Sequence, residues 1–187
     1  MVFQMRRLAI PDVGLVKVVS HHDERGYLAE SYHCERFASA GIHVDFVQEN
    51  HSHSVRRGVV RGLHFQRPPQ DQAKLVRCVR GAIFDVAVDI RRSSPTFGRH
   101  VTATLSAENM LQLWIPAGFA HGFCALETPT EVVYKMSSYY APALEGGIAF
   151  DDPALSIAWP VRVQEMLVSE KDRALPTMCE LMARDLL

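Results

Sequence analysis

Short runs of β-branched and aromatic residues, each closed by glycine, proline or small polar residues, recur along most of this chain. Val13–Val19, Tyr27–Tyr32, Val44–Asn50, Val59–Gln66, Lys74–Arg80, Ile83–Arg91, His100–Leu105, Met110–Ile115, Phe119–Ala125, Glu131–Met136 and Ala149–Phe150 read as strands. Many short strands at near-regular spacing predict a β-sandwich or barrel, and a jelly roll is compatible with their number. Lys74–Arg80 and Ile83–Arg91, separated by Gly81–Ala82, read as a hairpin. Helical signals are confined to Cys34–Ala40, stopped by Gly41, and to starts at Ser169–Asp172 and Thr177–Glu180, the latter a capping box.

The 187 residues suit one domain over 1–187, with no repeat or low-complexity linker. A formal net charge of −1 argues against nucleic acid or an anionic membrane as partner. The four cysteines, at 34, 78, 124 and 179, form no C-x-x-C pair, which argues against a zinc site or a disulfide framework. With no signal-peptide pattern and no apolar stretch of membrane-spanning length, the expected location is the cytoplasm.

The stretch "VVRGLHFQ" poses the chemical question, because it sets Arg61 and His64 on one strand with Gly62 between them. His64 reads as a packed core residue, a metal ligand or a proton-transfer group. Ideal alternation sends Arg61 and His64 to opposite faces, so a shared cavity requires an irregularity near Gly62, where strand glycines often mark bulges. His121, in "PAGFAHGF", also sits in an apolar strand, where an unpaired imidazole is costly to bury. Lys74 shares parity with Val76 and Cys78 and so points inward, which is rarely accidental for a lysine.

In "EVVYKMSSYY" the parity of Val132, Tyr134, Met136 and Tyr140 marks the interior face, so Tyr134 and Tyr140 either line the cavity or are core tyrosines. On Ile83–Arg91, Phe84, Val86, Val88 and Ile90 share one face, and Asp85 and Asp89 the other. Asp172 follows Ser169 by three residues. It fits a helix start or a carboxylate that orients a histidine, and spacing does not choose between them. His51-x-His53 puts two rings on one strand face, but no acidic or cysteine ligand follows at a suggestive spacing. His21, His22, His33, His43 and His100 stand beside turns or charges and read as surface.

Taken in order, "DERGYLAESY", "FVQENHSHS", "VVRGLHFQRPP", "QAKLVRCVRGAIFDVAVDIRRSSPTFG", "LSAENMLQLWIPAGFAHGF", "YKMSSYYAPALEGGIAFDDP", "IAWP" and "SEKD" resemble the dTDP-4-dehydrorhamnose 3,5-epimerase family over nearly the whole chain. The resemblance implies a cupin-type β-jelly roll with short flanking helices, a homodimer without metal or cofactor, and a dTDP-4-keto-6-deoxy sugar as substrate. It implies His64 as general base, Asp172 as its carboxylate partner, Tyr134 as general acid and Lys74 as stabiliser of the enolate. It also implies sugar or nucleotide contacts for Arg25, Glu30, Gln48, Asn50, Arg61, His121, Glu145 and Lys171, with Arg25 reaching across the dimer and Tyr140 stacking on thymine. The chain departs from the usual pattern at Glu49, at the lengthened loop Arg57–Gly58 and at Phe150–Asp151. The alternatives are a mono-epimerase acting at C3 or C5 only, a metal-dependent cupin oxygenase and a non-catalytic nucleotide-sugar binding module.

Overall fold

The computed structural model describes residues 3–187. Its strands are β1 (Phe3–Arg7), β2 (Gly14–Val18), β3 (Ser20–Asp23), β4 (Gly26–Ala29), β5 (Gln48–Ser54), β6 (Val60–Gln66), β7 (Lys74–Arg80), β8 (Ala82–Asp89), β9 (His100–Ser106), β10 (Leu111–Ile115), β11 (Phe119–Ala125), β12 (Thr130–Met136) and β13 (Glu145–Gly147). The helices are α1 (Cys34–Ser39), α2 (Glu170–Arg173) and α3 (Met178–Ala183). A six-stranded sheet runs β1-β2-β10-β7-β12-β5, and a five-stranded sheet runs β13-β6-β11-β8-β9. All named pairings are antiparallel. The two sheets face each other as a jelly roll, with Val76, Ile83, Leu105, Leu113, Phe123 and Val132 packed between them.

The five-stranded sheet is apolar on both faces because both are covered. Val86, Val88 and Ala120 pack outward against Ile148, Leu155, Met178 and Leu181 of the C-terminal segment, while Ile83 and Ala87 join the core between the sheets. Asp85 and Asp89 therefore stand on an interior face, and both are fully buried. Asp89 is satisfied locally, accepting from Arg91, Ser94 and Thr96.

Several sequence expectations need correcting. β7 and β8 do not form a hairpin: β7 lies between β10 and β12 in one sheet, and β8 between β11 and β9 in the other. Gly81 is the corner between sheets, with φ +70° and with Pro129 O only 2.8 Å from where a Cβ would stand. The fifth strand begins at Gln48, because Val44 and Phe46 instead pack with Phe37 and Ile42 over Trp114 on the outside of the six-stranded sheet. Glu145–Gly147 is the strand near the C-terminus, whereas Ala149 bonds to Pro176 O and Phe150 packs among Val60, Cys124 and Val161. β1 and β3 lie outside the strands that the sequence pattern marks. The capping box at Thr177–Glu180 is present as expected.

Candidate active site

β6 breaks its alternation where expected. Opposite β11, Arg61 pairs with Phe123 and His64 with His121, so three steps on β6 match two on the partner strand. The extra residue falls at Gly62, whose φ of +118° is open to glycine at little cost. Arg61 and His64 consequently line the same cavity of about 200 Å³, together with Lys74, His121, Tyr134 and Asp172. An adjoining cavity of about 180 Å³ shares His64, Lys74 and Tyr134 and extends toward Gln48, Tyr140 and Glu145.

His64 Nε2 lies 2.8 Å from Asp172 Oδ1, and the other carboxylate oxygen accepts the Gly62 N–H at 3.1 Å. Ser169 caps α2 by accepting the Asp172 N–H, but the Asp172 carboxylate turns away from the helix to the histidine. Both readings of Asp172 thus meet in one residue: its backbone belongs to the cap and its side chain to the cavity. Burial raises the Asp172 pKa, but hydrogen bonds from His64 and Gly62 outweigh that and hold it below the ordinary 3.8.

Tyr134 stands on β12, in the sheet facing His64, and its hydroxyl accepts from Asn50 Nδ2 at 3.3 Å. Lys74 is only 6% exposed and donates to the backbone oxygen of His64 at 3.3 Å. Burial lowers its pKa to about 8, opposed by the charges of Asp85 and Glu145. An ammonium kept this dry, between two walls that carry an imidazole and a phenol, suits a site where negative charge develops on a ligand oxygen.

A sequence profile described as dTDP-4-dehydrorhamnose 3,5-epimerase matches residues 7–180. The chain belongs to this family. It is 54% identical over 164 residues to the dTDP-4-dehydrorhamnose 3,5-epimerase of Shigella flexneri, a match covering 87% of this chain and 89% of that one. The dTDP-4-dehydrorhamnose 3-epimerase of Streptomyces niveus is 40% identical over 183 residues, covering 97% and 86% of the two chains. Among solved structures, the Legionella pneumophila 3,5-epimerase in complex with dTDP-4-keto-L-rhamnose superposes with a TM-score of 0.93 at 42% identity, covering 99% of this chain and 97% of that one.

The remaining site residues expected of a family member fall into two groups. Gln48, Asn50, Tyr140, Glu145 and Lys171 gather at the rim. The Tyr140 hydroxyl donates to Glu145 at 2.8 Å, Lys171 Nζ meets the same carboxylate at 2.7 Å, and Gln48 accepts the Tyr140 N–H. Glu145 is raised by burial but held below its ordinary value by Lys171 and Tyr140. Arg25 and Glu30 lie elsewhere: Arg25 pairs with Asp23 in the exposed β3–β4 turn, and Glu30 pairs with Arg36. His51 bonds to Glu131 at 2.9 Å, and among the described residues no cluster of three or more His, Cys, Asp or Glu side chains could hold a metal ion.

Three residues that hold the site together escape the sequence reading. Gln66 bonds to Tyr139 O and Ala141 N, and Gln72 to Ser138 O, so two buried glutamines fix the segment that carries Tyr140. The third is Asp85, whose Oδ1 is 2.7 Å from His121 Nε2. Its signal is an aspartate that shares one face with Asp89 in a strand whose remaining residues are all apolar.

Proposed function

We propose that this chain is a dTDP-4-keto-6-deoxy sugar 3,5-epimerase acting by proton transfer alone. The C3 and C5 hydrogens of such a sugar are both α to the C4 ketone, so either leaves as a proton to give an enolate. His64 takes the proton from one face of the ring through Nδ1, the nitrogen that Asp172 leaves free. Lys74 stabilises the enolate oxygen, and Tyr134 delivers a proton to the other face. The enolate then collapses to the inverted ketone, and solvent restores both side chains. The observation that carries this reading is the placement of His64 and Tyr134 on opposite sheets with the buried Lys74 ammonium in the same cavity. Arg61, His121 and the rim residues Gln48, Asn50, Tyr140, Glu145 and Lys171 hold the sugar and its nucleotide, the cations meeting the diphosphate.

The working unit on this reading is a cytoplasmic homodimer. β3 and β4 form a separate two-stranded sheet with Tyr27 and Leu28 exposed, an arrangement that is marginal in isolation and gains stability against a second copy. Arg25 and Glu30, at and beyond this hairpin, would serve the partner's site. Cys34 and Cys179 are free, exposed thiols, in keeping with a reducing compartment.

Incubation with dTDP-4-keto-6-deoxyglucose in deuterated water tests the function. Deuterium at both C3 and C5 of an inverted product is expected. Label and inversion at one carbon only would make the chain a mono-epimerase, and no label at either would end the epimerase reading.

A further inference from the structure

His121 pairs directly with His64 across β11 and β6, and each imidazole meets a carboxylate at Nε2. The two pairs differ in burial. The His64 side chain is 32% exposed, whereas those of His121 and Asp85 are 5% and 0% exposed. An ionised carboxylate only accepts hydrogen bonds, and opposite one Nε2 of His121 carries the proton. His121 lines the cavity, and among the described residues its Nδ1 has no hydrogen-bond partner.

We propose that Asp85 is a positioning residue that locks His121 as the Nε2–H tautomer, so that Nδ1 offers a lone pair to the cavity and accepts a hydroxyl of the bound sugar. A ring fixed as an acceptor selects a ligand that donates at that point, which makes the hydroxyl a specificity requirement. Buried acceptors left without their donor are costly, so such a site discriminates strongly against a deoxy ligand. The groups around the ring favour its uncharged form. Burial pulls the His121 pKa below 6.5, Asp85 opposes this, and Lys74 of β7 and His64 of β6 add to the lowering. Tyr134 of β12 is a further titratable neighbour, with ring centroids 6.4 Å apart, and Arg61 of β6 and Asp172 of α2 face the same cavity. Asp85 Oδ2 is buried without a hydrogen-bond partner, and the favourable charge of Lys74 acts on the same carboxylate. The lock therefore also keeps Lys74 and His121 in distinct roles, one a cation and the other a neutral acceptor.

The ligand in this inference rests on the epimerase reading, but the tautomer is a property of the chain alone. Nitrogen NMR of the full chain labelled at histidine reads it without substrate. Nε2 protonated and Nδ1 bare through the neutral range is expected for His121. A proton on Nδ1, or on both nitrogens, overturns the lock. The second arm measures deuterium exchange at C5 for the parent sugar and for analogues lacking the C2 or the C3 hydroxyl. One analogue should lose about 10²-fold or more in kcat/KM, and Asp85→Asn, whose amide can donate or accept toward Nε2, should shrink that gap. Equal turnover of all three sugars by the natural chain, or an Asp85→Asn loss that is uniform across them, overturns the specificity role. Should Asp85→Asn fail to fold, the natural chain still decides through its tautomer and its analogue ratio. A chain that shows the expected tautomer but is inert toward the parent sugar supports the lock and counts against the epimerase reading.

Discussion

Gly62 donates its backbone N–H to the same carboxylate, that of Asp172, that holds His64, so the bulge in β6 both turns the histidine into the cavity and anchors its partner. Gly62 also meets Gly122 of β11 closely. A Cβ on Gly62 would stand 2.6 Å from Gly122 Cα and 2.7 Å from His121 O, both backbone atoms that cannot swing aside. With φ at +118° the alanine is strained as well. Gly62→Ala should lower stability by about 1–3 kcal/mol and reduce turnover in the fraction that folds. Urea unfolding and the epimerase assay check this, and a native midpoint with full turnover would remove the bulge from the account.

Asp172→Asn separates the two roles of this residue. The carboxylate accepts from both Gly62 and His64, whereas an amide that accepts from Gly62 donates to His64 Nε2, which moves the imidazole proton to Nδ1, the nitrogen the proposed base needs bare. Turnover should fall about 10²-fold or more, and the Ser169 cap, made to the backbone N–H, should survive. The pH dependence has a definite sign. Because the folded pKa lies below 3.8, the carboxylate contributes stability that is present above that value and lost as pH falls through the folded pKa. The natural chain should therefore lose more stability than the variant below about pH 4. Normal turnover with parallel acid unfolding curves would return Asp172 to a purely helical role.

The features legible in the sequence are those set by local pattern. Alternation alone puts Tyr134 inside, because Val132 and Met136 flank it at the same parity and both are buried. Gly62 marks its own bulge, because Arg61 and His64 cannot otherwise share a cavity. What local pattern leaves open is which strand lies beside which. A hairpin turn and a corner between sheets both call for a glycine at positive φ, so Gly81 reads the same either way, and only the pairing of β7 with β10 and β12 decides. Asp85 is misleading for a related reason. A polar residue at alternate positions suggests solvent, and its burial follows from the facing sheet, many residues away in sequence. His64–Asp172, separated by 108 residues, is likewise invisible to spacing, and the resemblance supplies it where the pattern does not.

Tyr134→Phe keeps the ring that packs on the core and against His121, while removing the transferable proton and the acceptor for Asn50. With His64 as the proposed base still able to remove and return a proton on its own face, solvent exchange at C3 should persist while inversion falls about 10²–10⁴-fold. Mass spectrometry of the recovered sugar beside product analysis reads both quantities. Loss of exchange in step with inversion would require Tyr134 before reprotonation, in forming the enolate itself.

Lys74 gives the last prediction, because burial makes its charge costly as well as useful. Its folded pKa of about 8 lies below the ordinary 10.5, so between these values the unfolded chain binds more protons than the folded one. Stability should therefore rise with pH across that window, by up to about 3 kcal/mol from this group alone. Lys74→Met removes the titration and should flatten that rise, with stability near neutral pH unchanged or higher, since a desolvated cation is replaced by an apolar chain of similar length. Turnover should move the opposite way. One lost donor to a developing oxyanion typically removes about 10²–10³ in rate, and in the natural chain activity should decline as pH climbs past about 8 and the ammonium loses its proton. Unfolding curves and rates for both proteins over that range are the measurement. A variant that keeps its turnover, or a natural chain whose stability falls between these two pH values, would mean that Lys74 is not the buried cation on which the enolate depends.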